Sequence, residues 1–217
     1  MITSNLNLVS SNCNNKSQNK NYFQIIVILL FLAVSPTSYS QGIPPPLGAD
    51  TNIDEHNALI TIPEVALLDL EATNGTTVSL NPSAPTEAGL ALSFPVTNSS
   101  IWLNYSSIIG STTEPSRNVS VQITSGTVPA GTSLKIAVAA DSGNGDGLMG
   151  TPSTPIALSN AAQNVITGIG SSYTGNGVNK GHNLQYTLDL LPSAGAYGLL
   201  DFDFNETLVI TYTLTDY

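Results

Sequence analysis

Past residue 40 the chain contains no cysteine; its single one, Cys13, lies before that point. The bulk of the protein therefore folds without disulfides, whatever the redox state around it. Histidine is almost as scarce, with only His56 and His182. A serine nucleophile needs a positioned base, and no Gly-x-Ser-x-Gly elbow is present, so nucleophilic hydrolysis is disfavoured on inventory. Basic residues number five against fifteen acidic ones, a formal net charge of −10. Such a surface repels phosphate backbones and anionic bilayers, which argues against nucleic-acid and membrane-surface partners. Charged residues of either sign make up only 9% of the chain, against a usual quarter or so. Serine, threonine, asparagine and glycine supply the polarity instead, a balance common in exported β-proteins and uncommon in cytosolic enzymes. Tryptophan occurs once, at Trp102.

Long apolar runs are also missing, with one exception. Ile25–Val34 (IIVILLFLAV) follows the basic Lys16 and Lys20 and precedes SPTSYSQ. Ten apolar residues are short for a membrane span but suit the hydrophobic region of a signal peptide. Ser38 and Ser40 occupy the small-residue positions of a cleavage site, which predicts residues 1–40 as a signal peptide cut after Ser40; an uncleaved anchor is the alternative. Removal takes Lys16 and Lys20 with it and leaves Arg117, Lys135 and Lys180 as the remaining basic residues. The predicted location is secreted or cell-surface.

Residues 41–56 open on QGIPPPLGAD. Three successive prolines exclude helix and favour an extended arm. A single domain is expected over residues 57–217. Its dominant signal is the final stretch, NETLVITYTLTDY, in which Leu208, Ile210, Tyr212 and Leu214 alternate with threonines. Period-two alternation of β-branched and aromatic residues predicts a strand. The same pattern appears at Val119/Val121/Ile123, at Leu134/Ile136/Val138 with Lys135 outward, and at Leu184/Tyr186/Leu188/Leu190. Further strands are expected at 58–62, 65–70, 76–80, 90–96, 101–107, 155–159 and 197–204. Turns are expected at Asn98–Ser100 and across the Gly-rich 141–150, irregular structure over 168–181, and one short helix over 160–167. IPEVALLDLEA has helix-forming residues, but its strand-like neighbours favour a strand. Ten to twelve short strands separated by Gly/Pro turns predict an all-β fold, an antiparallel β-sandwich of Ig-like or pilin-like Greek-key type.

Few residues combine into chemistry. Asp201 and Asp203 would share a strand face, as would Asp69 and Glu71, and paired carboxylates serve glycosidases. A solvated acidic face, with Phe202 and Phe204 turned to the core, explains the first pair better. His182, in GVNKGHNLQ, reads as a solvated surface residue. The loop DSGNGDG offers Asp141, Asn144 and Asp146 as oxygen ligands for calcium, the one cofactor the sequence suggests. An EF-hand register would place Ser153 where a bidentate glutamate is required, so the match is incomplete. Trp102 and Tyr105 offer aromatic surface for a sugar. Asn74, Asn98, Asn104, Asn118 and Asn205 stand in Asn-x-Ser/Thr sequons, expected by chance at this composition.

The terminal strand LVITYTLTDY resembles the last strand of fimbrial subunits, with alternating apolar residues and an aromatic near the chain end. It is also similar to the ending of Trp-x-Leu cell-surface domains, with Tyr212-Thr213-Leu214 where Trp-x-Leu would stand. The resemblance implies an exported, pilin-like β-protein. It carries over no binding residue, because the tryptophan and the cysteine pair that many pilins carry are absent. The expectation is a non-catalytic structural or adhesive β-sandwich, a filament subunit among the options, with copies of itself, surface proteins or glycans as partners. The alternative is a carbohydrate- or calcium-dependent binding module.

Overall fold

Alternation sets most of the strands. In the computed structural model, which describes residues 52–75 and 77–217, nine strands and a single 3-10 turn account for the regular structure. They are β1 (Val65–Ala72), β2 (Val96–Ile108), β3 (Arg117–Ser125), β4 (Thr132–Asp141), β5 (Asp146–Pro152), β6 (Ile156–Ala157), β7 (Gln163–Tyr173), β8 (His182–Leu190) and β9 (Val209–Asp216). The 3-10 turn is Ala196–Leu199. The predicted leader, its cleavage point and the start of the Pro-rich arm lie outside the described residues. Residues 52–58 contain neither strand nor helix, and Leu59–Tyr217 is one compact unit. No described helix is long and apolar enough to cross a membrane.

Every strand pairing is antiparallel, as expected. The pairing path runs β6-β4-β8-β2-β7-β3-β9, with β1 added to β2 and β5 added to β7. The short pairing of Ser106 and Ser107 with Tyr173 and Ser172 joins β2 to β7. The result is one open nine-stranded sheet rather than two separate ones. It folds over on itself, because the Tyr186 hydroxyl on β8 meets the Tyr212 hydroxyl on β9 at 2.7 Å, although three strands separate β8 from β9 along the path. Inside the fold lies one apolar cluster. Val119, Val121 and Ile123 of β3, Leu134, Ile136 and Val138 of β4, and Leu184 and Tyr186 of β8 are buried members, on the face their alternation predicted. β1 and β9 sit at the margin: Leu68, Leu70, Ala72, Ile210 and Leu214 pack on the core but stay partly exposed.

Several expectations are overturned, each for a tertiary reason. Residues 160–167 are not helical, because β7 starts at Gln163 and runs between β3 and β5. Good local helix formers lose there to pairing on both edges. Gly168–Tyr173, expected to be irregular, continues that strand. Asn98–Ser100 is not a turn but a register irregularity within β2, where Asn98 Oδ1 accepts hydrogen bonds from the Ser100 amide at 2.9 Å and its hydroxyl at 2.8 Å. The side chain satisfies the groups that a bulge removes from the ladder. The Gly-rich loop is shorter than expected because β5 begins at Asp146; a Cβ on Gly145 would fall 1.6 Å from the Tyr173 carbonyl oxygen, so glycine is what lets the two backbones approach. Residues 197–204 form the 3-10 turn and irregular chain, with Phe202 96% exposed rather than in the core. Residues 77–80 and 90–95 pack or bridge without forming a strand, apart from the Ser83–Ser93 bridge. Residues 59–62 are unpaired.

Candidate functional site

The predicted calcium residues stand at one end of the sheet: Asp141 ends β4, Asp146 opens β5 and Asn144 lies in the turn between them. Their side chains are engaged locally. Asp141 Oδ2 accepts from the Gly143 amide at 2.7 Å, and Asp146 Oδ1 from the Gly147 amide at 2.8 Å. Asn144 Oδ1 accepts from the Lys180 ammonium, and its amide nitrogen donates to Ser142 Oγ. A lysine cation thus already occupies the asparagine oxygen. Asp141 Oδ1 is buried without a hydrogen-bond partner.

Asp141 acts electrostatically on a corner that sequence reading placed at the surface. His182 is fully buried. Its backbone pairs with Leu103 on one side and Asp141 on the other. Its ring stacks on Tyr105 at 5.5 Å between centroids, its Nε2 lies 2.9 Å from the Tyr105 hydroxyl, and its Nδ1 lies 2.9 Å from the Ala139 carbonyl. The Tyr105 hydroxyl also donates to the Met149 carbonyl. Burial pushes the Tyr105 phenol upward, with the Asp141 charge adding to it. Burial pulls the His182 imidazole below the usual histidine value, while the Ala139 carbonyl and Asp141 pull back. The corner ties β2, β4, β5 and β8 together. Because Tyr105 is buried here, it offers no ring face for a sugar, and only half-buried Trp102 remains of that pair.

Asp201 and Asp203 share no strand face; they lie in a turn where Asp201 Oδ1 accepts the Asp203 amide at 3.0 Å. Asp69 and Glu71 do lie two apart on β1, opposite Asn104 and Trp102. Of the sequon asparagines, Asn104 and Asn118 are buried, which keeps those two amides from a glycosylating enzyme.

The charge cluster with the most contacts is one the composition hid. Arg117, the chain's only arginine, is fully buried at the start of β3. Nε donates to Asp216 Oδ1 at 2.6 Å. One terminal nitrogen donates to the Val65 carbonyl at 2.5 Å, the Ile108 carbonyl at 3.1 Å and Ser107 Oγ at 3.3 Å. The other donates to Glu64 Oε1 at 2.5 Å and Glu114 Oε2 at 3.3 Å. All five N–H groups of the guanidinium therefore have acceptors. The three carboxylates each bring an oxygen within 4.8 Å of the others. Repulsion from Asp216, then Glu64, raises the Glu114 carboxyl above its ordinary range, with Arg117 opposing. A signal was present in the sequence: Arg117 falls in phase with Val119, Val121 and Ile123, so it had to point inward and find partners.

Nearby, a shallow cleft of about 280 Å³ is lined by Ser116, Asn118, Asn164, Thr167, Gly168 and Tyr217. None of these lining residues has an acidic or imidazole side chain. No known protein family matches the chain, and no curated protein or solved structure matches it.

Proposed function

We propose that this is a non-catalytic, exported structural protein of the cell surface, whose copies join edge to edge by strand addition as the subunits of a filament do. The observation that carries this reading is the segment Leu59–Ile62. It is unpaired, with Leu59 95%, Ile60 84% and Ile62 76% exposed. Four uncharged residues with three large apolar side chains are a poor surface for an isolated molecule and a good strand for another sheet. The same chain ends its pairing path at β9, which pairs only with β3 among the described residues and carries no charge before Asp216. Added main-chain hydrogen bonds would supply affinity, and the partly exposed Ile210 and Leu214 on β9, with Leu68 and Leu70 on β1, would receive the apolar side chains. The predicted signal peptide, the acidic polar surface and the resemblance of the terminal strand to that of fimbrial subunits agree with it.

Size-exclusion chromatography with light scattering on residues 41–217 tests the reading. Higher-order species are expected for the native sequence, and a folded monomer for the double variant Ile60→Asp/Ile62→Asp. A native protein that stays monomeric from micromolar to near-millimolar concentration would remove the reading.

A further inference from the structure

The charges around Arg117 do not balance. Three carboxylates meet one guanidinium, and Glu64 and Glu114 share one of its nitrogens. These carboxylates come from chain segments far apart in sequence. Glu64 immediately precedes β1, Glu114 lies between β2 and β3, and Asp216 ends β9. Among the described residues β1 pairs only with β2 and β9 only with β3, and no residue of β1 is fully buried. The cluster is therefore a polar tie across the side of the sheet where, among the described residues, β1 and β9 each pair with a single strand.

We propose that the Arg117 cluster is an acid-tightened latch: it takes up one proton on Glu114, and in that form holds the start of β1 to the end of β9 more firmly than when all three carboxylates are ionised. Protonated Glu114 can donate to the Glu64 carboxylate while Glu64 keeps its bond to Arg117. One proton removes one of two surplus negative charges, and with it the repulsion of Glu114 by both neighbours. The charged groups facing Glu114 are Asp216 on β9, Glu64 ahead of β1 and Arg117 on β3; β2 gives the cluster only neutral groups, the Ser107 hydroxyl and Ile108 carbonyl that accept from Arg117.

The direction of the effect follows from linkage. Glu114 binds its proton more tightly in the fold than in the unfolded chain, where its value is near 4.5. The fold then holds more protons than the unfolded chain across that interval. The latch strengthens as pH falls through the raised value and gains nothing further below about 4.5.

The test compares the native protein with Glu114→Gln at pH 7 and pH 4.5, by thermal melting and by amide hydrogen exchange over residues 65–72 and 209–216. At pH 7 the variant is expected to melt higher by about 1–4 °C, because the repulsion is gone. At pH 4.5, the ordinary glutamate value, a raised Glu114 holds its proton for most of the time and the gap should shrink; other acid-sensitive groups act on both proteins and cancel in the difference. After correction for intrinsic rates, exchange in the two segments should slow from pH 7 to pH 4.5 in the native protein and not in the variant, with the β4–β8 ladder as an unchanged control. A variant that melts lower at pH 7, a gap independent of pH, or native exchange at 65–72 that ignores pH would each overturn the latch.

Discussion

Arg117→Ala is expected to destabilise the protein by roughly 3–5 kcal/mol, the range seen when one partner of a buried ion pair is removed. The guanidinium is fully buried and gives every N–H to an acceptor. Without it, Ser107 Oγ and the Val65 and Ile108 carbonyls lose donors, and three carboxylates face each other with no cation between them. Arg117→Lys should recover only part of the loss. An ammonium has three donors on a single nitrogen and cannot span the positions reached by Nε and both terminal nitrogens. Urea unfolding of the three proteins at pH 7 measures both differences. A loss for Arg117→Ala below about 1 kcal/mol, the scale of exposed pairs, would mean that the cluster behaves as ordinary surface charge.

Leu103→Ala should destabilise by about 2–5 kcal/mol, the usual range for deleting a buried leucine side chain. Leu103 is 0% exposed and sits on β2, flanked by Leu70 of β1 and His182 of β8. Its neighbours belong to paired strands on both sides and cannot easily close on the space left behind. Phe202→Ala, which deletes a larger side chain, should change stability by less than about 0.5 kcal/mol, because Phe202 is 96% exposed. Chemical denaturation of both variants decides between the observed fold and the sequence-based picture that put Phe202 in the core. A larger loss for Phe202→Ala than for Leu103→Ala would contradict the observed packing.

The contrast between these two residues shows what local pattern can and cannot determine. The rows at 119–123, 134–138, 184–190 and 208–214 identified true strands and their inward faces. Period-two alternation is a direct image of a sheet with one buried side, and needs no knowledge of which strands are neighbours. The lack of cysteine and of basic residues likewise bounded the chain without any fold. The phase of Arg117 with Val119 carried the clue to the buried cluster, but its partners at 64, 114 and 216 are brought together only when β1 and β9 close the same side of the sheet. His182 is buried because β2 and β4 flank it, which no property of GVNKGHNLQ announces. Residues 160–167 form a strand because β3 and β5 wait on either edge, and that pairing outweighs local propensity. The sequence by itself determined the strand class, the acidic surface and the apolar rows. Tertiary structure alone decided the open sheet, the uncovered Leu59–Ile62 segment and the Arg117 latch, because each depends on contacts between segments far apart in the chain.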